Sequence, residues 1–340
     1  MEFVSIAMPA LNEAGFIAAA IASVMPDGDL EYEILVVDGG STDQTVQIVE
    51  KLAAKNPRIR LIHNPKRTQA AGVNLAAVHA DARCTVLIRA DCHAEYPANF
   101  ARMCVTALRE KKCASVVVPM LTVGKSPVQR AIAAAQNSRL GNGGSAHRLA
   151  GSSGYVEHGH HAAFDREIFT SVGGYNADMS PNEDAELDVR IRRAGHQIWL
   201  CGAATITYFP RSSIQSLATQ YYRYGWARAR TALRHRVIPQ FRQLIPLVAL
   251  AGCVASILLS FVNPAFLFLL AFYILPCLAW GVVLALREKS AELIMSGPAA
   301  MIMHLAWALG YALHLLAHLV RKPRMFQVSA KTASEEGLRQ

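Results

Sequence analysis

The sequence lacks any pair of cysteines with the spacing of a metal-binding or redox motif. Its seven cysteines form no C-x-x-C pair, their number is odd and their spacing is irregular. This pattern argues against a disulfide framework or a zinc site and favours reduced thiols in the cytosol. The opening Met1-Glu2-Phe3 runs into a strand-like segment without a basic flank. We therefore expect no signal peptide at this end.

Negative charge is missing from one long stretch near the middle of the chain. No Asp or Glu lies between Arg211 and Arg242, and the arginines of this stretch supply much of the formal charge of +9. Because an apolar segment follows, we expect residues 211–243 to form a basic interfacial helix region on an anionic membrane surface, at roughly 1 kcal/mol per charge. No recognised nucleic-acid-binding motif accompanies the charge, so nucleic acid is not an expected partner.

The excess of apolar residues, which make up 52% of the chain, is concentrated after Leu244. Three segments of roughly 20 residues are long enough to cross a bilayer, namely 244–262, 264–286 and 299–320. Residues 244–322 are therefore expected to form transmembrane or membrane-associated helices, followed by a polar tail over 323–340.

The number of membrane spans stays open because the basic residues give conflicting signals. If the N-terminal domain is cytosolic, three spans place Arg321, Lys322 and Arg324 outside, against the positive-inside tendency. Either the hairpin over 244–286 is re-entrant, or the last segment lies in the membrane interface.

Residues 1 to about 120 alternate short apolar runs with helical patterns, which predicts an α/β domain, expected over 1–210, with a mostly parallel sheet covered by helices on both faces. Asp38 and Asp91 follow two of these runs. In such sheets, ligands bind beyond the carboxyl ends of the strands. We expect the carboxyls of Asp38, Asp91 and Asp184 to face a single cavity. The glycine-rich stretch 121–155 is expected to be irregular, either as a surface loop or as a mobile loop over substrate.

The segments Pro9-Ala10-Leu11-Asn12-Glu13 and Val36-Val37-Asp38-Gly39-Gly40-Ser41-Thr42-Asp43 resemble the P-x-x-N-E turn and the V-V-D-D-G-S-x-D segment of family 2 glycosyltransferases. The resemblance implies the GT-A nucleotide-diphospho-sugar transferase fold and a UDP-sugar donor. It places Asp38 on the uracil ring, although Gly39 replaces the second acid. The donor-binding residues that it implies are Pro9, Ala10, Asn12, Glu13, Asp38, Arg67, Asn74 and Asp91.

The family's D-x-D metal motif is altered in this sequence. One alignment matches it to Asp91-Cys92-His93, with Pro97 where the family often has proline; the other makes Arg89 the missing first acid. The resemblance implies a divalent metal cofactor, Mn²⁺ or Mg²⁺, held by Asp91 and His93. Such an ion would stabilise the leaving UDP as a Lewis acid. His93 could instead bond a phosphate.

Two further segments resemble family motifs that act on the acceptor. Pro181-Asn182-Glu183-Asp184 resembles the E-D motif, which implies Asp184 as the general base and Glu183 as the residue that orients it. Gln220-Tyr221-Tyr222-Arg223-Tyr224 resembles a reduced Q-x-x-R-W motif. That likeness implies acceptor binding by Gln220, Arg223 and Tyr224.

Within the family, the His158-Gly159-His160-His161 segment and the C-terminal apolar runs are most similar to membrane glucosyltransferases of bacterial exopolysaccharide (succinoglycan) assembly. This resemblance implies transfer of glucose from UDP-glucose to a polyprenyl-diphosphate-linked saccharide through a β-1,3 bond. It implies a catalytic domain on the cytoplasmic face of the bacterial inner membrane. The alternatives are a polyprenyl-phosphate sugar synthase and a non-catalytic nucleotide-sugar-binding membrane protein.

Overall fold

The computed structural model describes residues 2–26, 28–145 and 151–321. The predicted polar tail over 323–340 lies outside this part of the chain. The strands are β1 Phe3–Ala10, β2 Glu31–Asp38, β3 Ile59–His63, β4 Cys84–Arg89, β5 Ala94–Glu95, β6 Ser115–Val118, β7 Met120–Thr122, β8 Gly154–Tyr155, β9 His160–Asp165, β10 Ile198–Leu200 and β11 Ile206–Tyr208. The helices are α1 Ile17–Val24, α2 Thr45–Lys55, α3 Gln69–His79, α4 Phe100–Glu110, α5 Pro127–Asn137, α6 Arg139–Asn142, α7 Arg166–Ser171, α8 Glu183–Arg193, α9 Ile214–His235, α10 Phe241–Ser260, α11 Leu267–Arg287 and α12 Ser296–Arg321.

An eight-stranded sheet forms the centre of the N-terminal half, in the order β3-β2-β1-β4-β9-β6-β10-β8. The strands β3, β2, β1 and β4 are parallel, whereas β9 runs antiparallel to both of its neighbours. The register pairs Ala10 with Asp38 and Ala7 with Arg89. Buried residues lie on both faces of the sheet. The predicted α/β fold with a mostly parallel, doubly covered sheet is confirmed.

The antiparallel strand β9 was not predicted from the sequence. The helix that follows it, α7, begins at Arg166. Asp165 ends the strand and caps the helix, since its carboxylate accepts hydrogen bonds from the backbone N–H groups of Glu167 and Ile168. This strand carries His160 and His161 into the middle of the sheet, directly after His158 and Gly159.

The stretch 121–155 is less irregular than its glycine content predicts. It contains α5, which begins with a capping box formed by Ser126 and Gln129. Ile132 of α5 is fully buried in a cluster with Leu217 of α9 and Met303 of α12. The helix therefore joins the N-terminal half to the C-terminal helices. The prediction of an irregular segment was wrong over residues 127–137.

Within the part of the chain that the structure describes, three helical segments are long and apolar enough to cross a membrane: Phe241–Ser260, Pro264–Arg287 and Ala291–Val320. The last of these packs closely on α9. A Cβ atom at Gly225 would lie 1.8 Å from the carbonyl oxygen of Trp307, and one at Gly310 would lie 2.1 Å from that of Tyr222. Glycine at both positions is what allows α9 and α12 to approach. The basic helix α9 is thereby fixed between the sheet domain and the apolar helices.

Candidate active site

A cavity of about 1110 Å³ opens where β4 ends, where α8 begins and along one face of α9. It brings together these sequence-predicted site residues: Asp91, His93, Glu183, Asp184, Gln220, Arg223 and Tyr224. The remaining predicted donor residues do not line it: Pro9, Ala10, Asn12, Glu13, Asp38, Arg67 and Asn74. The residues predicted for catalysis, for the acceptor and for the metal thus share one space.

Asp38, at the end of β2, has its carboxylate bonded to the loop that follows. Oδ2 accepts the backbone N–H of Gly40 at 2.8 Å, and Oδ1 accepts the hydroxyl of Ser41 at 2.5 Å. This is the local bonding by which Asp stabilises a turn. The expectation that three carboxyls face one cavity is met by Asp91 and Asp184 but not by Asp38.

The other predicted donor residues form the surroundings of this loop. The side-chain oxygen of Asn12 accepts the backbone N–H of Thr42 at 2.8 Å, and the Nε of Arg67 donates to the carbonyl of Gly39 at 3.1 Å. The amide of Asn74 bonds both the N–H and the carbonyl of Tyr175 instead, at 2.8 and 2.7 Å. Asn74 therefore fixes the position of Tyr175.

A contact between Glu13 and His93 connects this loop region with the cavity. The Nδ1 of His93 lies 3.3 Å from Oε1 of Glu13. This hydrogen bond, together with the charges of Asp91 and Glu13, raises the pKa of His93. The backbone of the predicted P-x-x-N-E turn is also close, since the thiol of Cys92 contacts the carbonyl of Pro9 at 3.3 Å.

Arg89 is the central cation of the site. Its side chain is only 5% exposed. Its Nη1 donates to Oδ1 of Asp184 at 2.5 Å and to the hydroxyl of Tyr175 at 3.2 Å, while its Nε lies 3.3 Å from Oδ1 of Asp91. An arginine in the position where one alignment has lost an acid therefore bridges the carboxylates of Asp91 and Asp184. The guanidinium stays charged at any working pH.

The charges around Asp91 and Asp184 keep both carboxyls ionised. Burial alone would raise the pKa of Asp184, but the charges of Arg89 and His161 outweigh it and hold this pKa well below its usual value. For Asp91, burial is likewise outweighed by Arg89, followed by His160 and His93, so its pKa is lowered. A base held in this way is ready to accept a proton, but the proton affinity that drives the transfer is reduced.

Glu183 differs from its neighbour in both solvation and bonding. It is 6% exposed, and its Oε2 has no hydrogen-bond partner among the described residues. Burial, with the adjacent charge of Asp184, raises its pKa. The pair thus combines an ionised carboxylate with one whose proton is held more tightly.

A buried chain of acids and histidines extends behind Asp184. The Nδ1 of His161 lies 3.4 Å from Oδ1 of Asp184, and its Nε2 lies 2.7 Å from Oδ1 of Asp188. The second oxygen of Asp188 bonds Nδ1 of His158 at 2.8 Å. Sequence reasoning singled out the histidine segment without finding this role, and Asp188 was missed. The signal available was an acid four residues after Asp184, on the same face of α8.

The charge of His161 has a consequence for stability. Burial would lower its pKa, but Asp188 and Asp184 raise it to about 9. Because this pKa is raised by folding, the stabilisation should be complete below pH 6.5 and should be lost as the pH rises through about 9. We expect His161→Gln to lower the melting temperature most near pH 6, with the difference from the unmodified protein shrinking towards pH 9.5. Thermal unfolding in detergent across this range measures it.

The matched control is His79→Gln, because His79 is exposed at the end of α3. Its melting temperature should follow that of the unmodified protein at every pH. A deficit of His161→Gln that is the same at pH 6 and pH 9.5 would mean that the imidazolium charge does not stabilise the fold.

The predicted metal ligands can be tested against these contacts. Among residues 2–26, 28–145 and 151–321, no group of three or more His, Cys, Asp or Glu is arranged to hold a metal ion. Asp91 and His93 both line the cavity, and a carboxylate with an imidazole is a donor set suited to Mn²⁺. Ions such as Mg²⁺ often take only one or two protein carboxylates and complete their coordination with substrate phosphates. Asp91 and His93 would supply two ligands to an ion of that kind, and the substrate phosphates would have to supply the others.

The predicted acceptor residues lie on one face of α9. The spacing of four residues puts Gln220 and Tyr224 on the same side of the helix, and the Nε2 of Gln220 donates to the hydroxyl of Tyr224 at 3.0 Å. Arg223 also borders the cavity and is exposed. This face and the beginning of α8 both line the cavity.

The fold and the acid pair Glu183-Asp184 in this cavity are those expected of a family 2 glycosyltransferase. Comparison with known sequences agrees with this class. Residues 5–173 match glycosyl transferase family 2, and residues 114–286 match glycosyl transferase family group 2. The chain belongs to glycosyl transferase family 2 and is a glycosyltransferase.

Two individual relatives show which members of the family this chain resembles. The chain is 42% identical over 312 residues to the succinoglycan biosynthesis protein ExoA of Rhizobium meliloti (strain 1021), covering 92% of this chain and 94% of that protein. It is 24% identical over 238 residues, or 67% of this chain and 73% of the relative, to a dolichyl N-acetyl-alpha-D-glucosaminyl phosphate 3-beta-D-2,3-diacetamido-2,3-dideoxy-beta-D-glucuronosyltransferase of Methanococcus voltae. The resemblance to the family and to its succinoglycan branch is confirmed.

A solved structure supports the fold. The mannosyltransferase PcManGT from Pyrobaculum calidifontis, in complex with GDP-Man and Mn²⁺, superposes with a TM-score of 0.59 at 18% identity. The match covers 93% of this chain and 87% of that one. At this identity the likeness concerns the fold alone, and it agrees with the predicted GT-A architecture.

Proposed function

We propose that this glycosyltransferase moves a hexose, glucose, from a UDP-sugar to a polyprenyl-diphosphate-linked saccharide during exopolysaccharide assembly, with inversion to a β-1,3 link. The observation that carries the proposal is the cavity in which Asp91, Asp184 and the α9 face meet beside apolar helices. The 42% identity to a succinoglycan biosynthesis protein, over 94% of that protein, supports an exopolysaccharide as the product.

In this proposal, Asp184 acts as the general base. It takes the proton of the acceptor hydroxyl while the hydroxyl oxygen forms a bond to C1 of the sugar and the bond from C1 to the diphosphate breaks. UDP leaves on the opposite side of C1. The ionised state of Asp184 supports its role as general base. The imidazole of His161, 3.4 Å from this carboxylate, orients it. Glu183 assists from the neighbouring position.

The donor would be held on the other side of the acid pair. We place the nucleotide on the loop organised by Asp38, with Asn12, Glu13 and Arg67 around it, and the diphosphate towards Asp91. A divalent ion held by Asp91 and His93 would supply Lewis-acid stabilisation of the leaving diphosphate. Arg89 faces the same carboxylate and adds a fixed positive charge there.

The setting that we propose is the bacterial inner membrane, with the catalytic domain facing the cytoplasm. The helices over 241–320 are long enough to cross a bilayer. The arginines of 211–243 border the domain on the side of these helices and suit an anionic leaflet. This region would hold the cavity near the lipid-linked acceptor.

A direct test incubates membranes that contain the full-length protein with labelled UDP-glucose, UDP-galactose, UDP-N-acetylglucosamine and GDP-mannose, and then analyses the lipid extract. We expect label from UDP-glucose in a diphosphate-linked oligosaccharide. Membranes carrying Asp184→Asn serve as the control. A monophosphate-linked sugar would show a polyprenyl-phosphate sugar synthase instead, and the absence of any sugar-nucleotide turnover would indicate a binding protein.

A further inference from the structure

The wall of the cavity carries a pair of cations that the reaction described above does not use. Arg228 lies on α9 and Arg242 in the first turn of α10, and both line the cavity. In the parts of the chain that the structure describes, no carboxylate oxygen lies within 4.0 Å of either guanidinium. No described carboxylate therefore neutralises these two guanidinium charges by direct contact.

Arg228 follows Gln220 and Tyr224 at helical spacing, on the same face of α9. Burial and the nearby charge of Arg242 lower its pKa. The acid with the strongest attraction for it, Asp188, is already bonded to His158 and His161. Two like charges in a partly desolvated wall repel each other, and an anion between them would remove this repulsion.

Arg242 is hydrogen-bonded without being neutralised. Its Nη1 donates to the hydroxyl of Ser145 and its Nε to the side-chain oxygen of Gln240, both at 2.9 Å. The acid that attracts it, Glu157, is engaged by Arg192 at 3.0 Å and by the amide of Gln240 at 2.6 Å. Among the described residues, these two bonds use only two of the five N–H groups of the guanidinium.

The same cavity has an apolar wall beside these cations. Ile245 and Pro246 of α10 and Met303 and Trp307 of α12 line it. Both helices belong to the segments that are long and apolar enough to cross a membrane. A ligand that suits this part of the cavity combines a multiply charged anion with a hydrocarbon chain.

We propose that Arg228 and Arg242 bind the diphosphate of the lipid-linked acceptor, with its isoprenoid chain lying along the wall formed by α10 and α12. The inference rests on the proposed function, since it names the site for the lipid end of that acceptor. Paired guanidinium groups suit a diphosphate because each can donate two parallel hydrogen bonds to phosphate oxygens. The acceptor saccharide would then extend from this anchor towards Asp184.

The test measures binding rather than transfer, with purified full-length protein in a neutral detergent. The probes are farnesyl diphosphate, inorganic diphosphate, farnesol and phosphatidylglycerol. We expect farnesyl diphosphate to bind best, and neither farnesol nor phosphatidylglycerol to displace it. Arg228→Gln and Arg242→Gln should each weaken its binding about tenfold or more, as expected for charge-assisted hydrogen bonds, while the affinity for UDP stays unchanged.

Arg234→Gln is the matched control, because it removes one charge from the same helix at an exposed position outside the cavity. Its affinity for farnesyl diphosphate should equal that of the unmodified protein. Arg228→Gln removes one of two repelling charges, so its melting temperature should not fall. Arg242→Gln also loses the hydrogen bonds to Ser145 and Gln240, so its melting temperature is measured alongside. Arg228→Lys keeps the positive charge but loses the planar guanidinium that donates two parallel hydrogen bonds. It should lose less affinity than Arg228→Gln.

Three results would overturn the site. These are unchanged farnesyl diphosphate binding in both folded glutamine variants, a loss that falls on UDP instead, or displacement by phosphatidylglycerol at equal concentration. A different result would refute the proposed function. Binding that depends on both arginines, without hexose transfer to a lipid-linked saccharide, would refute the function and leave the diphosphate site. Normal transfer without dependence on the arginines would refute only the site.

Discussion

Asp184→Asn is expected to reduce hexose transfer by about 10²–10⁴-fold while leaving UDP affinity near its normal value. Asn cannot accept the acceptor proton, yet it has nearly the same shape and keeps an oxygen that can accept the hydrogen bond from Arg89. The carboxylate it replaces faces the cavity at 18% exposure. The measurement is initial transfer rate into lipid-extractable product, together with UDP binding by calorimetry.

The matched control is Asp178→Asn, the same change at an exposed position shortly before α8. It should transfer sugar at the normal rate. Glu183→Gln decides between the two acids of the motif, because Glu183 is buried, lines the cavity and has an oxygen without a partner among the described residues. Near-normal turnover in Asp184→Asn together with a large loss in Glu183→Gln would move the general base to Glu183.

The parallel part of the sheet could be predicted because its strands are continuous apolar runs that end in polar residues. Ile34 to Val37 is fully buried and leads directly to Asp38. The antiparallel strand β9 could not be predicted in this way, since its histidines and alanines give no apolar run. Its place between β4 and β6 depends on pairing with distant segments. The helix α5 was missed because alanine supplies much of its buried face.

The acids and the acceptor face of the site were predictable because each follows a recognisable local pattern. The partners of those acids were not, since they come from distant parts of the chain. Arg89 was seen as the loss of an acid, and only the fold shows that it bridges Asp91 and Asp184. His161 reaches Asp184 because β9 inserts beside β4. Sequence patterns locate the side chains that react. The neighbouring residues that determine the charge of those side chains are known only from the tertiary structure.

The charge bridge formed by Arg89 leads to the largest expected effect on stability. Arg89→Met should destabilise the protein by about 3–5 kcal/mol, because it leaves buried carboxylates without their cation. Burial favours the protonated form of both Asp91 and Asp184, and the loss of Arg89 removes the largest charge that opposes this effect. The deficit should therefore be greatest near neutral pH and should shrink as the pH falls and the carboxyls become protonated. Thermal unfolding in detergent from pH 7.5 down to about pH 3 measures it, because folding lowers the pKa of both carboxyls.

A double-mutant cycle separates charge compensation from packing. If Arg89 stabilises the fold by neutralising Asp184, then Arg89→Met combined with Asp184→Asn should be less destabilised than the sum of the single changes, since the unpaired charge has been removed as well. Arg89→Lys keeps the charge but not the fork, and should fall between the unmodified protein and Arg89→Met. Strict additivity, with a deficit independent of pH, would mean that Arg89 acts through its hydrocarbon stem and its contact with Tyr175. The cluster would then owe its ionisation to the histidines of β9 alone.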